Sequence, residues 1–231
     1  MKNIAFILTS CIFAFSNAAF AQETSADSAL NPCAQYTRKP TLNLRSSFGK
    51  LNYDFSHNGR QLLAMSRKQH LRHNEDMYMS GLSICDMDWS FSLSSTTKLI
   101  EGYKCVIPTV VDVFVGYRSP TIYINKELSP DSCTYKVALR HEQQHQQINI
   151  ALLEYYLPTI KAGIEEALSV IGARVIADDQ KSSDVADEIN AEFAESIRPL
   201  INRFQITLQI EQEKMDRRDN YLKESELCQS R

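Results

Sequence analysis

The chain has 231 residues, a formal net charge of −3 and 43% hydrophobic residues. So slight an acidic excess excludes the basic footprint that a nucleic-acid partner requires, and the composition is that of a globular protein. No stretch beyond the first residues is long and apolar enough to span a bilayer.

The N-terminus reads as an export signal. Lys2 precedes an apolar run from Ile4 to Phe15, and Ala19-Phe20-Ala21 is the small-x-small pattern of a signal-peptidase site. Leu8-Thr9-Ser10-Cys11 looks like a lipoprotein box, but too few apolar residues precede Cys11. Residues 1–21 are therefore expected to be a signal peptide, 22–32 a flexible leader and 33–231 a single domain, in the periplasm or secreted. Five cysteines remain in that domain (Cys33, Cys85, Cys105, Cys133 and Cys228), which suits two bridges and one spare thiol.

Period-2 patterning dominates residues 33–133. Leu42 and Leu44, then Leu51, Tyr53 and Phe55, alternate as a half-buried strand pair does. His57-Asn58-Gly59-Arg60 reads as a turn and 61–71 as a short helix. Trp89, Phe91 and Leu93 alternate, Val106 to Tyr117 is β-branched and aromatic, and Thr121 to Asn125 is a short strand. Ser129-Pro130-Asp131-Ser132 then opens a part, 134–231, dominated by helix formers. Two helices are expected, 134–176 with a kink at Pro158 and 184–215, joined by a tight connection. The fold class is thus α+β: a small, mainly antiparallel sheet followed by a long helical hairpin.

The helical part opens with His141-Glu142-Gln143-Gln144-His145. Residues four apart share a helix face, so both imidazoles can bind one Zn²⁺. Glu142 is placed to take a proton from a metal-bound water as that water attacks a carbonyl. Val137, His141, His145, Ile148 and Leu152 form one stripe, which turns the histidines inward.

This motif resembles that of the zincin metallopeptidases. The wider layout is similar to a bacterial family of secreted zinc-dependent proteases whose functions are largely unassigned. The matching features are the exported N-terminus, Trp89, Cys105, Ser129-Pro130, Cys133 and Tyr135 before the motif, and Asp216, Tyr221 and Cys228 after it. The resemblance implies a zincin-like fold, with Thr121–Asn125 as the edge strand on which a peptide substrate would lie.

The third zinc ligand is less direct. Ile148 and Ala151 stand where the metzincin continuation needs Gly and His. Glu165 and Glu166 have the thermolysin-like separation, but in a continuous helix Glu165 is roughly 30 Å along the axis from His145. A hairpin centred near residue 180 instead returns Asp216 to the level of the histidines, with Asp219 and Tyr221 close behind. Asp216 is the favoured ligand, with Asp219, Glu165 and Glu166 left open, and Tyr221 is a candidate donor to an oxyanion. The same return would bridge Cys133 to Cys228; the alternative pairs Cys228 with Cys33. His57, His70 and His73, the last two in the basic run Arg67–His73, are more distant ligand candidates.

The expected function is an exported zinc-dependent hydrolase acting on a peptide or protein substrate, with His141, His145 and Asp216 as metal ligands and Glu142 as general base. The alternative is a non-enzymatic envelope interaction protein with a structural or vestigial zinc site. A catalytic site keeps one coordination position for water, whereas a structural site closes it with protein.

Overall fold

The computed structural model describes residues 31–68 and 78–228. The signal peptide, most of the leader, His70 and His73 lie outside them. No helix among the described residues is long and apolar enough to cross a membrane.

The fold is α+β, but the β part is two mixed sheets rather than one mainly antiparallel sheet. In the first, β5 (Tyr103–Tyr117) lies between β1 (Thr41–Ser47) and β4 (Met87–Ile100). β4 and β5 form an antiparallel hairpin whose loop is Glu101-Gly102. Both loop residues have positive φ, 51° and 90°, the backbone a two-residue hairpin turn demands. β1 joins β5 in parallel, and β7 (Arg174–Val175) extends the sheet by pairing with Cys105 and Val106. In the second sheet β6 (Thr121–Ile124) lies between β2 (Asn52–Asp54), which is parallel to it, and β3 (Gly81–Ile84), which is antiparallel. The two alternating segments at 42–44 and 51–55 therefore enter different sheets and do not pair. Thr121–Ile124 is central, not the expected edge: the edges are β2 and β3.

The α-helices among the described residues are α1 (Gly59–Lys68), α2 (Cys133–Val170), α3 (Ser182–Met215) and α4 (Arg218–Glu226). Gly59 and Arg60, expected in a turn, open α1. Ser132 caps α2, its Oγ accepting the Tyr135 N–H at 3.1 Å. Pro158 lies inside α2 without ending it. Pro158 and Glu154 are both exposed, so the Glu154 carbonyl that lacks a helical donor faces water. The expected helix to 176 stops at 170. Residues 171–181 carry β7 and so bind the turn between the helices to the sheet.

The main core is the space between the first sheet and the α2–α3 pair. Val111, Val113, Val115 and Tyr117 point inward from β5. Leu153, Ile160, Ile164 and Leu168 of α2 and Ile189, Phe193, Ile197 and Phe204 of α3 meet them. The β spacing is two and the α spacings are four or seven, as each backbone geometry requires. A smaller cluster packs Ile122 and Ile124 of β6 on Ala138, Tyr135 and Leu139, so the first turns of α2 rest on the second sheet. Among the described residues two disulfides are present, Cys33–Cys105 and Cys133–Cys228, and Cys85 is free. Such bridges are compatible with an extracellular protein.

Candidate metal centre

His141 and His145 lie one helical turn apart on α2, their ring centroids separated by 4.8 Å. α3 returns antiparallel to α2 and brings Asp216, its C-cap, to the same level. Asp216 Oδ1 is 3.2 Å from His141 Nε2 and 3.0 Å from His145 Nε2, and the two Nε2 atoms are 3.1 Å apart. The residues expected from the hairpin register thus converge.

The outer contacts decide what these atoms are. The Glu224 carboxylate stands 3.0 Å from His141 Nδ1 and, as an acceptor, requires Nδ1–H there. Gln212 donates its amide N–H to the His145 carbonyl (3.1 Å) and to Asn149 Oδ1 (2.7 Å), which turns its Oε1 onto His145 Nδ1. His145 therefore also carries its proton on Nδ1 when neutral. Both Nε2 lone pairs and a carboxylate oxygen then face one another within 3.2 Å with no donor among them. Three acceptors this close repel unless a cation lies between them.

A proton can serve, and so can a metal. With a proton, the Asp216 carboxylate holds His145 up to about 9, against burial, which alone would lower it. His141 is raised as well, again against burial, through Asp216 and Glu142. Asp216 is itself held well below the usual carboxylate range: its hydrogen bonds to the two histidines and Tyr221 outweigh the upward push of burial. A metal would take these three atoms as its ligands. The edge of a tetrahedron of ligands about 2.0–2.1 Å from zinc is roughly 3.3 Å, close to the separations here. No fourth His, Cys, Asp or Glu joins the group among the described residues.

Glu142 is buried under the second sheet. Burial raises its carboxyl to about 7, and His145 and His141 pull against that rise. The Ser83 backbone N–H bonds to it. Gly81 lies so close that a Cβ there would stand 2.7 Å from Glu142 Cγ. A carboxylate poised near neutral pH suits a general base.

Tyr221 on α4 stacks on His141 at 4.8 Å, and its hydroxyl donates to Asp216 Oδ1 at 2.9 Å. The other candidates fall elsewhere. Glu165 pairs with Lys161 further along α2, Glu166 and Asp219 are exposed, and His57 bonds Ser56 on the β2 side. Sequence reasoning missed Gln212 and Glu224. Gln212 lies one turn before Asp216 and follows from the same hairpin register, whereas Glu224 becomes visible only once 218–226 is read as a helix. Comparison of the chain with protein-family models, curated proteins and solved structures found no match.

Proposed function

We propose that this protein is an exported zinc-dependent hydrolase of zincin-like design that cleaves peptide or other amide bonds. The observation that carries the reading is the convergence of two imidazole lone pairs and the Asp216 carboxylate beside a buried glutamate, with three protein donors rather than four. Catalytic zinc has three protein ligands and an exchangeable water, while structural zinc has four protein ligands.

His141 and His145 would hold the ion through Nε2, and Asp216 through Oδ1. Zinc bound there lowers the pKa of a water to about 7. Glu142 would serve as the general base, taking a proton from the attacking water and returning it to the leaving amine. Tyr221, one hydrogen bond from the centre, can turn its hydroxyl to the developing oxyanion.

In the role the resemblance assigned to Thr121–Asn125, β3 is the better candidate. It is an edge strand, antiparallel to its neighbour and adjacent to Glu142. Ser80 accepts from Asn125 N–H, so the alternate residues Gly81 and Ser83 turn their backbone groups away from β6, toward the outer edge, where Glu142 takes the Ser83 N–H. An extended substrate pairs there by β-augmentation.

Zinc analysis and a peptide-library digest test the proposal together. Wild-type protein should carry about one zinc per chain, and His145→Ala should carry almost none. Glu142→Gln should keep the zinc and lose hydrolysis by at least ~100-fold. Negligible zinc in the wild type, or undiminished hydrolysis by Glu142→Gln, refutes it.

A further inference from the structure

α4 contributes nothing to the core: none of its residues is buried. It nevertheless supplies two of the groups around His141, the stacked Tyr221 ring and the Glu224 carboxylate. The other Glu224 oxygen is 3.9 Å from Arg140 on α2. A polar helix with so little apolar packing needs another restraint to stay in place. That restraint is covalent. Cys228, two residues beyond α4, is bridged to Cys133, the first residue of α2, with Cα atoms 5.5 Å apart.

The two bridges differ in access. Cys33 and Cys105 are both 0% exposed and sit in an apolar cluster with Ile107 and Ala173. Cys133 and Cys228 are each partly exposed. A thiolate reaches the second bridge first.

We propose that the Cys133–Cys228 bridge is a redox-sensitive clasp for the metal, acting through Glu224 as the positioning residue of His141. This rests on the zinc reading above. In the oxidised chain the clasp keeps α4 on α2, and Glu224 holds Nδ1–H, which keeps the Nε2 lone pair aimed at the ion. A cellular dithiol opens the clasp. Its first thiolate attacks one sulfur of the bridge and forms a mixed disulfide, and its second thiolate displaces that sulfur. Two electrons pass to the bridge, Cys133 and Cys228 leave as protonated thiols, and the reductant leaves as a disulfide. α4 is then held by the Tyr221 stack and polar contacts, without a fully buried residue, so Glu224 leaves Nδ1 and the imidazole is free to turn. Loss of such an outer partner weakens metal affinity by about 10–100-fold.

The test is zinc affinity, measured by competition with a chromophoric chelator on the exported chain in four forms: wild type and Glu224→Ala, each oxidised and reduced. A water-soluble phosphine is the reductant. It takes the oxygen of water to become phosphine oxide while the bridge becomes two thiols, and intact mass after alkylation reports which bridge opened. The Cys133→Ala/Cys228→Ala double variant, checked by circular dichroism, gives the same comparison without reductant. The expected result is a loss of about 10-fold or more on opening the clasp in the wild type. A similar loss is expected in oxidised Glu224→Ala, with little further change when that variant is reduced. Glu224→Gln, which keeps an acceptor for Nδ1–H, should stay near wild type. Equal affinity in oxidised and reduced wild type overturns the proposal. So does a reduction effect of full size in Glu224→Ala, because the clasp would then not act through that residue. A wild-type chain that binds no zinc in either state overturns the zinc reading itself, and the clasp with it.

Discussion

Gly81→Ala probes the contact between β3 and the proposed base without relying on an assay of hydrolysis. The new Cβ would stand 2.7 Å from both Glu142 Cγ and Oε1 and 3.1 Å from Cδ. Optimal contacts between such atoms are about 3.5–4.0 Å, so roughly 1 Å of movement is required. Glu142 has little room to give, being buried and bonded to the Ser83 N–H. Overpacking of this kind costs about 1–3 kcal/mol. Gly81 is not among the glycines with positive φ, so alanine is otherwise compatible with its backbone. In a Glu142→Ala background the same substitution should therefore be neutral, or stabilise by up to ~1 kcal/mol through the unfolded chain. Urea unfolding of the four proteins of this cycle gives the coupling energy, expected at roughly 1–3 kcal/mol. Equal destabilisation by Gly81→Ala in both backgrounds would refute the close-packing argument. For hydrolysis, displacing the base by about 1 Å should cost on the order of 100-fold while zinc content stays unchanged.

Phe193→Ala removes a fully buried ring that meets Phe91 edge-on at 5.0 Å, and should cost about 3–5 kcal/mol in denaturant unfolding. Burial pushes the Cys85 thiol up to about 12, with Asp86 adding to the rise, so it should resist alkylation at about pH 8 in the folded chain and react readily after unfolding. Mass spectrometry of the singly labelled peptide checks this. Zinc affinity should fall as the pH drops below about 9, the value to which the metal-free His145 is raised, because protons compete for the histidine lone pairs, and a colorimetric chelator reports the release.

The parts of the site that were legible in sequence owe this to short-range geometry. His141, Glu142 and His145 occupy one turn of a helix whose period is fixed by its backbone, so their juxtaposition follows from spacing alone. Asp216 could be reached because two long antiparallel helices set a register between distant residues. Strand partners could not be reached in this way. Alternation marks Leu42 and Leu44 as strand residues, yet nothing in it says that β1 joins β5 in parallel, with Leu42 opposite Val111. Ile171 to Val175 continues an apolar, helix-compatible pattern, and only Gly172 hints at the break where β7 takes over. α4 left no trace because its sequence has no apolar stripe, so Glu224 was invisible with it. The Cys133–Cys228 bridge followed the hairpin return, whereas Cys33–Cys105 joins a residue ahead of β1 to the start of the central strand β5, a long-range contact that alternation does not specify.

The uninterrupted course of α2 imposes a rotational phase on the molecule. Its 38 residues span about 57 Å. The opening turns rest on the second sheet, and the stretch from Leu153 to Leu168 fills the core against the first. Among the described residues the two sheets share no strand pairing, so this rod, together with the short links between their strands, sets how they are turned relative to each other. One residue inserted between Asn149 and Leu153 would twist one half by roughly 100° against the other. Either the metal donors or the core stripe would then swing toward solvent. Seven inserted residues, close to two whole turns, would nearly restore the angle but part the halves by roughly 10 Å. The length of this stretch is therefore as strict a constraint as the identity of its histidines.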